Sequence, residues 1–495
     1  MSATPVTDGS VGRMSALPTR RALYYGGAWH ASVGGRDTPI TSPSTGESLG
    51  SAVDASAEDV ERAVAAASEG FLLWRDTAPQ ERARAIRKAA RILRQHAEDL
   101  ALVEALDTGN PLSAMLYDVA ISADYLELFA GLVTEIKGST IPVDTGSLHY
   151  TLREPLGVVA RIGAFNHPLL FVAGKCGAPL AAGNSIVIKP SDATPLTSLR
   201  IAELWHGVFP PGVFNIVTGG RDAGAALAGH RGVAKVGFIG SVNAGRAVMG
   251  AASATLKALT LELGGKNALI ACPDASPSEI ADGVVRGMNF RYVTGQSCNS
   301  TSRVYLHDAI YEATLPAIVE RARSIRIGLP TDPDTEMGCL SSQAQYDKTL
   351  AYIKLGLESG ARLVYGGKRP ADPKLAKGFF VEPTVFADVT DEMRIAREEI
   401  FGPVVSVLRW SDEGDLVRRV NALDVGLTCS IWTHDLSRAH RLARRVEAGY
   451  VWINGASRHW VGVPFGGYKQ SGMGREESIE ELLACTQIKT VNVML

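Results

Sequence analysis

The sequence predicts an α/β protein built on mainly parallel sheets, and two observations carry that expectation. From Pro155 onward short β-rich apolar runs alternate with helical stretches, the pattern of βαβ units. The unusual polar residues fall directly after those runs, where ligands gather on open parallel sheets, beyond the carboxyl ends of the strands.

In chain order, residues 1–22 are rich in Ser, Thr, Gly and Pro and read as a flexible tail. They lack the apolar stretch that a secretory leader needs. Residues 56–107 are Ala-rich and helical in pattern. Two short strands at 140–143 and 149–152 flank the turn Asp144-Thr145-Gly146. A first strand series follows at 158–162, 185–188, 213–217 and 233–239, with helices at 197–208 and 222–228 between. A second series is expected at 268–271, 303–306, 404–408, 428–432 and 450–453. The last strand-like run, 487–493, has nothing after it to pair with and could join another subunit's sheet.

Composition narrows the function classes. Fifty Lys and Arg against 52 Asp and Glu give a net charge of −2, which argues against a nucleic-acid partner needing a basic face. Six scattered cysteines, without Cys-x-x-Cys or zinc spacing, suggest neither a disulfide framework nor a metal site. Free thiols in so large a chain fit a reducing compartment, and the cytoplasm is expected. No apolar run approaches the roughly 18 residues of a membrane span.

Five segments carry chemistry. Gly295-Gln296-Ser297-Cys298-Asn299 puts a cysteine on a polar, glycine-flanked loop, where a thiolate can be reached by substrate. An inert buried thiol has the same local signature. Leu261-Glu262-Leu263-Gly264-Gly265-Lys266 ends an apolar strand with one carboxylate. Desolvated there, Glu262 suits general-base work; paired with Lys266, it would be structural. Asn166, in Gly163-Ala164-Phe165-Asn166-His167-Pro168, could donate to an oxyanion or simply make an Asx turn. The turn around Phe238, Gly240 and Ser241 opens a helix whose amides can hold a pyrophosphate. Lys189 and Asp192 end a neighbouring strand and could take two ribose hydroxyls, although Ser191 or Asp192 could equally cap a helix.

Taken together, in this order, these motifs resemble the aldehyde dehydrogenase superfamily from about Tyr24 to the C-terminus, its hydrolytic benzaldehyde- and betaine-aldehyde-like members included. Glu-Glu-Ile-Phe-Gly-Pro at 398–403 and Pro-Phe-Gly-Gly-Tyr-Lys-Gln-Ser-Gly-Met-Gly-Arg-Glu at 464–476 add to the match. The resemblance implies a Rossmann-type NAD-binding domain (23–137 and 155–261), an α/β catalytic domain (262–460) and a β-strand oligomerisation arm (138–154 and 478–495). Dimers or tetramers are usual in such a family, with closed symmetry.

The same resemblance implies roles. Cys298 becomes the nucleophile, Asn166 an oxyanion donor with the Cys298 amide, and Glu262 the base that activates the hydrolytic water. Lys175 and Glu476 match a pair linked to proton movement. Ile162, Phe165, Lys189, Asp192, Gly220, Gly224, Phe238, Gly240, Ser241, Leu263, Glu399 and Phe401 match cofactor-contacting positions, for NAD with NADP as the alternative. The expected reaction is oxidation of a small-molecule aldehyde to an acid through a cysteine thioester, with a bulky or aromatic aldehyde favoured. His167, Phe171, Gly174, Tyr292, Arg458, His459 and Trp460 are the expected pocket residues.

Two departures bear on specificity. Asp192 stands where the family commonly has Glu, and Gly174 where several relatives carry a bulky aromatic, which predicts a wider channel. Competing readings are a CoA-acylating semialdehyde dehydrogenase, which would generally lack Glu262, and an inactive binding protein, which would be expected to lose Cys298, Glu262 or Asn166.

Overall fold

A computed structural model describes residues 16–495. The core of the first half is a parallel sheet in the order Phe214–Ile216, Ser185–Lys189, Val158–Ile162, Val233–Gly240, Ala258–Leu263. Numbered by sequence that order is 3-2-1-4-5, so the winding reverses between Val158–Ile162 and Val233–Gly240. Ligands of open parallel sheets bind at such a reversal, beyond the carboxyl ends of the strands. These strands are buried on both faces, which explains their nearly continuous Val, Ile and Ala content.

The second half holds another sheet, in the order Arg362–Tyr365, Thr384–Ala387, Val404–Trp410, Arg303–His307, Ala268–Ala271, Thr428–Trp432, Tyr450–Ile453. It is parallel except for Arg362–Tyr365 at its edge. Only residues 264–267 separate the last parallel strand of the first sheet from the first strand of the second, so the Glu262 motif lies at the junction.

The 464–476 segment returns to that junction. Gly472 and Met473 pair antiparallel with Glu262 and Leu261. Gly472 has φ +145°, and a Cβ there would come within 2.0 Å of the Leu261 carbonyl oxygen, so only glycine lets the two backbones approach.

Three features differ from the sequence expectation. The helical region 56–107 is three helices, Ala57–Arg75, Pro79–Gln95 and Ala97–Thr108, because Pro79 starts a new helix at its first position and His96 interrupts the next. Of the expected tail, residues 1–15 lie outside the described residues. Residues 16–22 are packed: Ala16 and Leu17 are buried beside Leu196 and Leu199, and the Thr19 and Arg20 amides donate to Glu203. The terminal strand Thr486–Met494 does not wait for another subunit. It pairs antiparallel along Ser147–Pro155 of its own chain, since that hairpin presents a free edge of matching length. Among the described residues no helix is long and apolar enough to cross a membrane.

Candidate active site

The loop bearing Cys298 is fixed from several sides. Thr294 and Gly295 adopt left-handed backbone, and a Cβ on Gly295 would lie 2.5 Å from the Gly402 carbonyl oxygen. Asn267 donates to the Cys298 and Ser300 carbonyls at 2.7 and 3.1 Å while its own oxygen accepts the Thr428 amide. Gln296 accepts the Ser341 amide, and its carbonyl accepts the Asn166 side-chain amide at 2.9 Å. Asn166 therefore reaches the cysteine loop itself instead of closing a local turn, and its second amide proton is left for a ligand.

Cys298, Asn166, Glu262, Lys175 and Glu476 line one cavity, together with the sequence-expected His167, Phe171, Tyr292 and His459. Burial, and then the carboxylates of Glu262, Glu399 and Glu477, push the Cys298 thiol up to about 12. The protein alone thus holds this sulfur protonated, and a base has to remove the proton.

Glu262 lines the same cavity. It is 5% exposed, and neither carboxylate oxygen has a hydrogen-bond partner among the described residues. Pairing with Lys266 is absent, for the Lys266 ammonium has no hydrogen-bond partner among the described residues. Burial, followed by repulsion from Glu476, raises the Glu262 carboxyl well above the usual range against the pull of Lys175.

Beside it runs a buried ionic network that the sequence disclosed only in part. Lys175 lies 2.9 Å from Glu476 and 3.1 Å from Glu477; Arg161 lies 2.9 Å from Glu476 and 3.2 Å from Glu481. Burial would raise Glu476, but Arg161 and Lys175 outweigh it and hold that carboxyl at about 2. Glu477 also accepts the Tyr125 hydroxyl at 2.6 Å and His459 Nδ1 at 2.9 Å. Asn299 offers its amide to His459 Nε2 at 3.0 Å, because its oxygen is taken by Asn289 and Ser297. The network therefore sets the Nδ1–H tautomer of His459.

Another group that the sequence reading missed is Asp118. It lies on the buried face of the helix Leu112–Gly131, whose other two carboxylates, Asp124 and Glu127, are exposed, and it is fully buried. Its two oxygens accept His167 Nδ1, at 2.8 Å, and the Tyr292 hydroxyl. A lone carboxylate on the apolar stripe of an amphipathic helix was the available signal.

Three pocket expectations need correction. Gly174 is buried outside the cavity: a Cβ there would meet Leu170 Cδ1 at 2.9 Å and the Ser122 Cα at 3.4 Å, so Leu170 already fills the space. Trp460 is 44% exposed and lies under the Arg458 guanidinium, 5.3 Å from its ring centroid. Neither lines the cavity, since Ser457 has a left-handed backbone that turns the following residues outward while His459 is pulled in by Glu477. Arg458 instead faces an outer groove that shares Tyr117 and Tyr292 with the cavity.

The expected cofactor residues gather at the strand ends around the winding reversal. Ile162 pairs with Lys189 and Phe238 across the sheet. Ser241 caps the helix Val242–Ser253 at Ala244, and Leu263 ends the adjacent strand. Gly220 starts the helix Arg221–Gly229, within which Gly224 packs against Lys189. The Lys189 ammonium is occupied by the Pro190 and Gly219 carbonyls, at 2.7 and 2.6 Å, while Asp192 remains exposed near Gly220. Glu399 accepts the Gly265 amide at 3.0 Å, and Phe165 meets Phe401 edge-on at 5.6 Å. A capped helix start, an exposed carboxylate and a half-buried one suit the phosphates and two riboses of a dinucleotide.

Comparison with known proteins gives a consistent result. The aldehyde dehydrogenase family model matches residues 29–491. Aldehyde dehydrogenase tropH of Talaromyces stipitatus is 50% identical over 487 residues, covering 97% of this chain and 94% of that protein. The structure of PnpE from Pseudomonas sp. WBC-3 superposes with a TM-score of 0.94 at 41% identity, covering 96% of this chain and 98% of PnpE. An NAD+ complex of aldehyde dehydrogenase from Bacillus cereus gives 0.94 at 38% identity, covering 100% of both chains.

Proposed function

The chain belongs to the aldehyde dehydrogenase family, and from that premise we propose that it uses NAD to oxidise an aromatic or similarly bulky aldehyde to its acid through a thioester on Cys298. The observation that carries this reading is the unpaired, buried carboxylate of Glu262 in the same cavity as Cys298.

In the proposed sequence the Cys298 sulfur adds to the aldehyde carbon as its proton passes through water to solvent. The new oxyanion is met by the free amide proton of Asn166 and the Cys298 backbone amide. Bound NAD supplies the hydride acceptor, held by the Ser241-capped helix, Asp192 and Glu399. Hydride loss leaves the Cys298 thioester. Glu262 takes a proton from the water that attacks the thioester, the acid is released as the Cys298 sulfur leaves and recovers that proton, and Lys175 with Glu476 holds a charge pair beside its path. An aromatic substrate is supported by the rings of Phe171, His167 and Tyr292 on the cavity wall, not by space at Gly174.

The presence of Glu262 favours hydrolysis over transfer to CoA. NAD is favoured over NADP because Asp192 would face a 2′-phosphate while Lys189 is already engaged. Assembly through the arm is supported by Leu148, Leu152 and Ile488, which stand exposed on its sheet. The six free thiols support a reducing compartment such as the cytoplasm. The test is simultaneous assay of reduced cofactor and carboxylic acid with benzaldehyde and NAD. Equal amounts are expected; reduced cofactor without acid would overturn the hydrolytic reading.

A further inference from the structure

His167 follows Asn166 directly and lines the cavity that holds Cys298. Its ring is fixed on both sides. Nδ1 donates to the fully buried Asp118 at 2.8 Å, and the ring packs 4.9 Å from Tyr292 and 5.9 Å from Phe171. Asp118 is held in turn by the Tyr292 hydroxyl, so neither partner is free to rotate away. Nε2 makes no hydrogen bond among the described residues, and it is not among the buried unpartnered nitrogens, so it opens onto the cavity. A histidine whose Nδ1 proton is given to a carboxylate presents Nε2 as an acceptor.

We propose that His167, oriented by Asp118, is the receptor for a hydroxyl group on the ring of an aromatic aldehyde, which donates to Nε2. This rests on the reading that the enzyme oxidises aromatic aldehydes. The charge of the cavity selects a hydroxyl over a carboxylate. Glu262, Glu476 and Glu477 line the same space, and its one lining ammonium, Lys175, is consumed by two of them. A carboxylated ring would meet repulsion, whereas an uncharged donor meets a fixed acceptor between two aromatic walls. Asp118 is a positioning residue here, and His167 determines specificity.

The experiment measures kcat/KM with NAD for 3- and 4-hydroxybenzaldehyde, their methyl ethers and the corresponding fluorobenzaldehydes, at a pH that keeps the phenols protonated. The ether and the fluoro compound bracket the hydroxyl in size, and neither can donate. One hydroxyl isomer should exceed both analogues by about tenfold, since a site built to pair with a hydroxyl rejects substrates lacking it. His167→Phe, which keeps a flat ring and removes the acceptor, should bring that ratio close to one, and His167→Gln should restore part of it. Ratios near one in the wild type, or an unchanged ratio in His167→Phe, would overturn the proposal. If His167→Phe fails to fold, the wild-type ratios decide alone. Oxidation of acetaldehyde with none of the ring aldehydes turned over would instead overturn the aromatic-substrate reading beneath it.

Discussion

The ammonium of Lys175 lies 2.9 Å from the Glu476 carboxylate, in the same cavity where Glu262 has no hydrogen-bond partner among the described residues. One carboxylate is thus neutralised and locked while its neighbour is desolvated and left reactive. Opposite environments push the two carboxyls apart, Glu476 down to about 2 and Glu262 well above the usual range.

Activity should therefore rise with pH along a limb set by Glu262. A base works only when deprotonated, and a raised carboxyl moves that limb to higher pH. The acid limb of kcat/KM is expected clearly above the ordinary carboxylate range of about 4.3. A limb at that ordinary value would contradict the assignment.

Removing the cation should destabilise the fold. Lys175→Met leaves Glu476 and Glu477 buried with less compensation, at a cost of roughly 3–5 kcal/mol at neutral pH. Because both carboxyls are held low, their stabilisation is present above the unfolded-state value and is lost as pH falls toward about 2. The gap between wild type and Lys175→Met in denaturant melts should narrow over that acid window. A gap independent of pH would argue against the pairing.

Asn166→Ala should lower kcat by about a hundredfold with folding intact, the scale of losing one oxyanion donor. Its tie to the Gln296 carbonyl is a single hydrogen bond, so circular dichroism and melting should change little. A kcat within twofold of wild type would remove Asn166 from the oxyanion site.

NAD should be preferred over NADP by at least about tenfold in kcat/KM, a difference of roughly 1.4 kcal/mol. Asp192→Ala should narrow the ratio by relieving repulsion, and no freed lysine is available to reverse it, because Lys189 is tied to two carbonyls. Preference for NADP in the wild type would refute the assignment of Asp192.

The residues legible in the sequence were those whose local chain geometry announces them. Cys298 and Asn166 follow a helix or strand end, Glu262 is the penultimate residue of its strand, and each has a glycine within three positions, so their accessibility is written in a few nearby residues. Asp118 and Glu477 were not legible as site residues. They matter only because helix Leu112–Gly131 and the 464–477 return segment fold onto the same cavity, a long-range fact. The fold read well for the same reason: alternating β-rich runs and helices dictate parallel sheets, and the strands of both series appear close to their expected bounds. Side-chain direction did not read. Gly174 was expected to widen the channel, yet Leu170 occupies the volume, and Trp460 points away from it although His459 points in.

The most direct test of the account is intact-protein mass spectrometry of Glu262→Gln after mixing with NAD and benzaldehyde. Without the base for hydrolysis, one benzoyl group should accumulate per chain, map to Cys298 by peptide analysis, and match a single equivalent of reduced cofactor. The adduct should be absent from Cys298→Ala. A benzoyl group on another residue, or continued turnover by Glu262→Gln with no covalent adduct, would contradict the thioester mechanism.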